Sequence, residues 1–173
     1  MSNLSLKNHF EKFDLNESFV MDLDILEEKY LAFQQIFHPD KLIQNKNEQI
    51  NLEYNSVLIN EAYEILRNPL KRAIYLLKLH GFDIDDDNCL VKPDQEDLME
   101  NLELREFIFE TSNKEKLENL KKSCLSEIKL ILKESQIEFE NKNYKKSALN
   151  LIKAKYLDKS LIEIKKKINP KHD

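Results

Sequence analysis

Glycine is almost absent from this chain, with one in 173 residues, and there are only four prolines. Tight hairpin turns need backbone conformations that glycine adopts at least cost, so antiparallel hairpins and Gly-rich phosphate loops are nearly excluded. No apolar run approaches the roughly 18 to 20 residues of a membrane span. Met1-Ser2-Asn3 opens neither a signal peptide nor an Arg-rich presequence, so the expected compartment is the cytoplasm. The two cysteines, Cys89 and Cys124, lie far apart and belong to no Cys-x-x-Cys or Cys/His cluster. Two free thiols are expected, with no metal and no cofactor.

What the chain does have is leucine, isoleucine, lysine and glutamate, the residues of an all-α protein. Its 41% hydrophobic content suffices for packed cores. The net charge of −5 is uneven: −3 over residues 1–80, −9 over 81–112 and +7 over 113–173. A basic tail can serve nucleic acid, but these lysines alternate with glutamates at helical spacing and no arginine follows Arg105, so nucleic-acid binding is not expected.

Periodicity places the helices. Over residues 22–37, Leu23, Leu26, Tyr30, Phe33 and Phe37 recur at steps of three and four, with Asp22 as N-cap. A polar stretch follows, and Leu52, Ile59, Ala62, Tyr63 and Leu66 mark a second long helix that Pro69 stops. The two should pack antiparallel, with Phe10, Phe13 and Leu15 covering the open end. Ala73, Leu76 and Leu79 predict a short fourth helix closed by Gly81. Residues 82–93 combine an acidic run with Pro93 and are read as a linker between domains at 1–81 and 94–173. Beyond it, segments near 94–111, 114–140 and 145–168 suggest a three-helix bundle.

His38-Pro39-Asp40-Lys41 sits between the first two long helices. Pro39 pushes His38 out of the α region and ends the preceding helix near Phe37, which leaves the string at the head of a loop. Such a loop is a contact epitope: the proline is rigid and Asp40 can accept a bidentate pair from a partner's arginine. His38 and Asp40 could also form a base and its orienter, but no nucleophile or second acid accompanies them at defined spacing, so no enzyme is expected.

At 100° per residue, Leu98, Phe109, Leu102 and Met99 share one arc of the fifth helix, bordered by Glu106, Glu110 and Glu103, while Leu104, Ile108 and Phe107 lie opposite. An outer helix of a bundle needs one apolar stripe, so one of these is surplus to its own core. The acid-bordered arc is the better candidate for an exposed partner surface. The last helix is doubled in the same way, with Leu151, Ala154, Leu161, Ile164 and Ile168 on one side and Leu149, Ile152 and Tyr156 on the other.

These residues carry a resemblance. His38-Pro39-Asp40-Lys41 between two helices, then Ile59-Asn60-Glu61-Ala62-Tyr63 and Leu66-Arg67-Asn68-Pro69-Leu70, resembles a J domain. Arg72-Ala73 with Tyr75-Leu76-Leu77, Leu79-His80-Gly81-Phe82-Asp83, Leu98-Met99-Glu100, Leu102-Glu103-Leu104-Arg105-Glu106 and Tyr156-Leu157-Asp158-Lys159 resemble HscB, the J-protein of iron–sulfur cluster assembly. The resemblance implies an L-shaped molecule of a J domain and a C-terminal three-helix bundle. It implies an adaptor that stimulates the ATPase of a dedicated Hsp70 (HscA) and delivers the scaffold IscU. His38, Pro39, Asp40, Lys41 and Lys29 would then face the Hsp70. Leu98, Met99, Leu102, Glu103, Glu106, Glu110 and Tyr156 would face the scaffold. A J protein with another client, or a helical interaction protein whose His-Pro-Asp string is only a turn, are the alternatives.

Some positions depart from the family. J domains usually carry a basic face on the helix before His-Pro-Asp, but here Glu27, Glu28, Gln34 and Gln35 leave Lys29 nearly alone, with Lys41, Lys46, Arg67 and Arg72 to compensate. His9-Phe10 stands where many relatives have Tyr-Phe, and Asp14 where glycine is common. The zinc module that some relatives carry at the N-terminus is not seen, which favours a bacterial form.

Overall fold

The computed structural model describes residues 4–37, 46–86, 88–89 and 91–169, and every regular element among them is helical. They divide into two compact units, Met1–Leu76 and Leu77–Asp173.

In the first unit a single turn at Leu4–Leu6 leads to the short α1 (His9–Lys12), the long α2 (Leu23–Phe37) and α3 (Lys46–Arg67), and the greater part of α4 (Pro69–Leu79). Capping explains the starts. Asn8 and Glu11 form a reciprocal box at α1, with Glu11 N donating to Asn8 Oδ1 at 2.9 Å and Asn8 N donating to Glu11 Oε2 at 2.8 Å. Asp22 Oδ1 accepts from the amides of Asp24 and Ile25 at the head of α2. Asn68 Oδ1 accepts from Leu70 and Lys71, and Pro69 occupies the first position of α4, where its missing N–H costs nothing.

The helices α2 and α3 run antiparallel, as Glu27 with Tyr63, Tyr30 with Asn60 and Gln34 with Asn60 show. The Tyr30 and Tyr63 rings stack at 3.9 Å. Beneath this polar seam Leu26, Ile59, Ala62 and Leu66 are fully buried, with Phe10 and Phe13 from the α1 region. Leu23, placed in the same stripe by periodicity, stays exposed in the first turn of α2. Arg72 is buried. Its guanidinium donates to Phe19 O through Nε (3.0 Å) and Nη2 (2.8 Å), and to Leu66 O through Nη1 (2.5 Å). Asp14 takes φ 51, a left-handed conformation that aspartate tolerates better than most side chains and that glycine adopts freely.

The second unit holds the bundle of α5 (Gln95–Glu110), α6 (Lys114–Glu140) and α7 (Tyr144–Ile168). Its core joins Ile108 of α5, Leu117, Cys124 and Ile128 of α6, and Leu161, Ile164 and Ile168 of α7, with Leu104, Leu120, Leu132 and Leu157 against them. The expected apolar stripe of α7 is therefore its core stripe, but the opposite side is not free either, because Ile152 is buried. Residues 77–93 fold with this unit: Lys78 pairs with Asp83 at 2.7 Å, Lys155 with Asp85, and Val91 is buried. Cys89 and Cys124 are free thiols, and burial pushes the Cys124 thiol above its ordinary value.

Candidate functional site

The two apolar stripes of α5 have different fates. Ile108 is buried and Leu104 packs on the core, whereas Leu98, Met99 and Leu102 are 47%, 57% and 52% exposed. Phe107, grouped by angle with the core side, is also exposed. The acid-bordered arc is thus the outward face of the helix. Glu103, Glu106 and Glu110 beside it are exposed and, among the described residues, take part in no ion pair or hydrogen bond. Glu110 lies in the last turn, where the negative end of the helix dipole makes acidic side chains unfavourable. Folding alone gives no reason for them.

Tyr156 is half-buried and lines two clefts between α5 and α7, one with Asn101 and Leu104, the other with Asn101, Arg105 and Lys159. Asn101 and Arg105 flank Leu98 and Leu102 on the helical wheel. The tyrosine therefore adjoins the α5 arc on the side away from the glutamates. The α5–α7 contact is held by two ion pairs, Lys153 to the buried Asp97 at 2.5 Å and Arg105 to Glu163 at 3.3 Å. The hydrogen bond to Asp97 raises the Lys153 pKa.

The first unit tells less. His38, Pro39, Asp40 and Lys41 lie outside the described residues. Lys29 donates its ammonium to Asp14 O at 3.3 Å, with Asp14 Oδ2 at 4.0 Å. Arg72 is spent on the carbonyls of Phe19 and Leu66 and adds nothing to a basic face, contrary to the expectation that it would compensate for the acidic α2. Arg67 pairs with Glu64 at 3.3 Å and lies over the Tyr63 ring. Among the described residues there is no cluster that could hold a metal, and no helix long and apolar enough to cross a membrane.

Two residues were missed. Phe109 belongs to the arc by angle but was left out of the scaffold-facing set, and its exposure is 82%. Lys167, far away in sequence, places its ammonium against the carbonyls that end α5. Nothing local in the sequence signals that second contact.

A helical hairpin with short flanking helices, followed by a three-helix bundle with an exposed acid-bordered face, is the architecture of a J-domain co-chaperone. The profile of the HSCB C-terminal oligomerisation domain matches residues 93–165. Co-chaperone protein HscB of Buchnera aphidicola (subsp. Acyrthosiphon pisum) is 31% identical over 94% of this chain and 95% of its own length. The human iron–sulfur cluster co-chaperone protein HscB is 34% identical over 77% of this chain and 53% of its own. The crystal structure of human HscB superposes with a TM-score of 0.84 at 29% identity, covering 95% of this chain and 83% of that one. The chain belongs to the HscB co-chaperone family.

Proposed function

We propose that this protein is a co-chaperone of iron–sulfur cluster assembly that stimulates ATP hydrolysis by a dedicated Hsp70 of the HscA type and brings it the scaffold IscU. The observation that carries the reading is the face of α5. Leu98, Met99 and Leu102 stay exposed beside three glutamates that are unpaired among the described residues, in a chain of the HscB family. The scaffold would dock there, with Tyr156 at its edge and its own Arg or Lys side chains opposite Glu103, Glu106 and Glu110. The Hsp70 would engage His38-Pro39-Asp40-Lys41, with Lys29 nearby.

Such a protein acts by linkage and changes no bond itself. Holding scaffold and ATP-state Hsp70 together makes their encounter intramolecular, and the J contact lowers the barrier to hydrolysis. The test is single-turnover ATP hydrolysis by the Hsp70, with this protein alone, with scaffold added, and with Asp40→Asn. Synergy that disappears in Asp40→Asn supports the reading. Stimulation without scaffold synergy moves the client elsewhere, and no stimulation at all rejects the co-chaperone mechanism.

A further inference from the structure

Phe109 is the most exposed large apolar side chain described in the second unit, at 82%. On the helical wheel it falls at 20°, between Leu98 at 0° and Leu102 at 40°, so it continues their line about two turns toward the C-terminus of α5. Glu106 and Glu110 lie beside it on one edge of that line, at 80° and 120°. A phenyl group left largely in water at the end of an apolar line is what an uncovered interface leaves behind.

Its position is fixed by a residue of another helix. The last carbonyls of α5 have no partner within the helix, and the last turn of α5 contains no basic residue. Lys167 of α7 supplies what is missing: its ammonium donates to Ile108 O at 2.6 Å, Phe109 O at 2.5 Å and Thr111 O at 2.9 Å. The same ammonium lies 5.9 Å from the centre of the Phe109 ring. One cation thus satisfies three carbonyls, opposes the helix dipole and pins the backbone that presents the phenyl group.

We propose that Phe109 is an anchor of the α5 docking surface and that Lys167 is its positioning residue. The occupant is a folded partner with an apolar pocket edged by Arg or Lys, matched to the phenyl group and to the glutamates along one side of it. This rests on the scaffold reading above, and the scaffold protein is the probe. Because the backbone that carries Phe109 is held by Lys167, covering the ring orders only the side chain and not the helix end. An anchor of this kind dominates an interface out of proportion to its area.

The chain has no tryptophan, so Phe109→Trp introduces a single indole reporter. With the emission of a wild-type mixture subtracted, its fluorescence shifts to the blue as scaffold is added and saturates with the binding isotherm measured calorimetrically. In calorimetry, Phe109→Ala weakens scaffold binding about tenfold or more, as Leu102→Ala does. Lys167→Met weakens it about threefold to tenfold and Lys167→Arg restores it to within about twofold, since only the cation is needed at the carbonyls. Far-UV circular dichroism shows that the variants are folded. If Phe109→Ala binds like wild type and the indole stays solvent-exposed at saturation while Leu102→Ala loses binding, the anchor is wrong and the docking face stands. If the wild type does not bind the scaffold, or Leu102→Ala also binds normally, the scaffold reading itself fails and the anchor fails with it.

Discussion

Ser135 and Ser147 exchange hydrogen bonds across the α6–α7 interface: Ser135 Oγ donates to Ser147 O at 3.0 Å and Ser147 Oγ donates to Ser135 O at 2.9 Å. Both residues are fully buried, and the two hydroxyl oxygens lie 2.7 Å apart. Small side chains let the helices approach, and the reciprocal bonds satisfy the groups that this approach buries. Replacing either serine by alanine should cost about 1 to 2 kcal/mol, because each change removes one hydroxyl-to-carbonyl bond together with the contact the two hydroxyls share. The double variant should cost less than the sum. A double-mutant cycle by urea unfolding measures the coupling, and strict additivity would show that the two bonds are independent.

Helices α4 and α6 end in the same motif with different residues in the left-handed position. After α4, Gly81 has φ 86, with Gly81 N donating to Lys78 O and Phe82 N to Leu77 O, each at 3.0 Å. After α6, Lys142 has φ 61, with Lys142 N donating to Phe139 O and Asn143 N to Glu138 O, each at 2.8 Å. Lysine pays there for a conformation that glycine adopts freely. Lys142→Gly should stabilise the protein by about 1 kcal/mol, and Gly81→Ala should destabilise it by a similar amount. A Cβ at Gly81 would meet nothing within 4 Å, so only the backbone term is tested there. Thermal melting of the two variants in opposite directions is the expected result.

Arg72 ties three parts of the first unit together through carbonyls at Phe19 and Leu66. Burial lowers its pKa from the ordinary value. Lysine has a point charge in place of a planar fork and cannot reach both carbonyls in the same way. Arg72→Lys should therefore cost about 2 kcal/mol and Arg72→Ala about 3 kcal/mol. Equal melting of Arg72→Lys and wild type would contradict the geometry.

His9 stacks on Tyr75 at 4.1 Å and accepts a hydrogen bond from Lys12 Nζ at its Nδ1, 3.3 Å away. Desolvation, with the Lys12 charge second, lowers its pKa from 6.5 to about 4. Between those values the unfolded chain holds a proton that the folded one does not, so protonation favours unfolding. This contribution is intact above pH 6.5 and is lost as the pH falls from 6.5 toward 4. Melting temperatures across that window should fall more steeply for wild type than for His9→Tyr. A ring titration near 6.5 by NMR would refute the assignment.

Glu110 sits in the last turn of α5, where the helix dipole disfavours it, and neither it nor Glu106 one turn earlier finds a partner among the described residues. Glu106→Gln with Glu110→Gln should raise stability by about 0.3 to 1 kcal/mol in all, nearly all of it from Glu110. The same change should slow scaffold association and reduce its dependence on salt, as removing charges from an interface rim does. Denaturation and stopped-flow association at two ionic strengths test the two effects in one variant. Loss of both stability and binding would mean that the glutamates serve the fold.

Six of the seven helices among the described residues were legible because what defines them lies within a few residues, whereas the one-turn α1 was too short for periodicity to mark. Asp22, Asn68-Pro69 and Gly81 punctuate the chain, and apolar spacing of three and four marks each buried face. The co-chaperone family was legible for the same reason, since His38-Pro39-Asp40 and the Leu98–Glu110 pattern are contiguous strings. The angles on α5 showed two apolar stripes. Only the packing of Leu104 and Ile108 on Leu117, Cys124 and Leu161 decided which one faces the core and left Phe107 in solvent. In α7, burial of Ile152 removed a second surface that periodicity had allowed. Arg72 on Phe19 and Lys167 on the end of α5 join residues more than fifty positions apart. Periodicity and capping act over one or two turns, whereas these partners depend on helix rotation and crossing, and those are set by side chains filling a shared core in three dimensions.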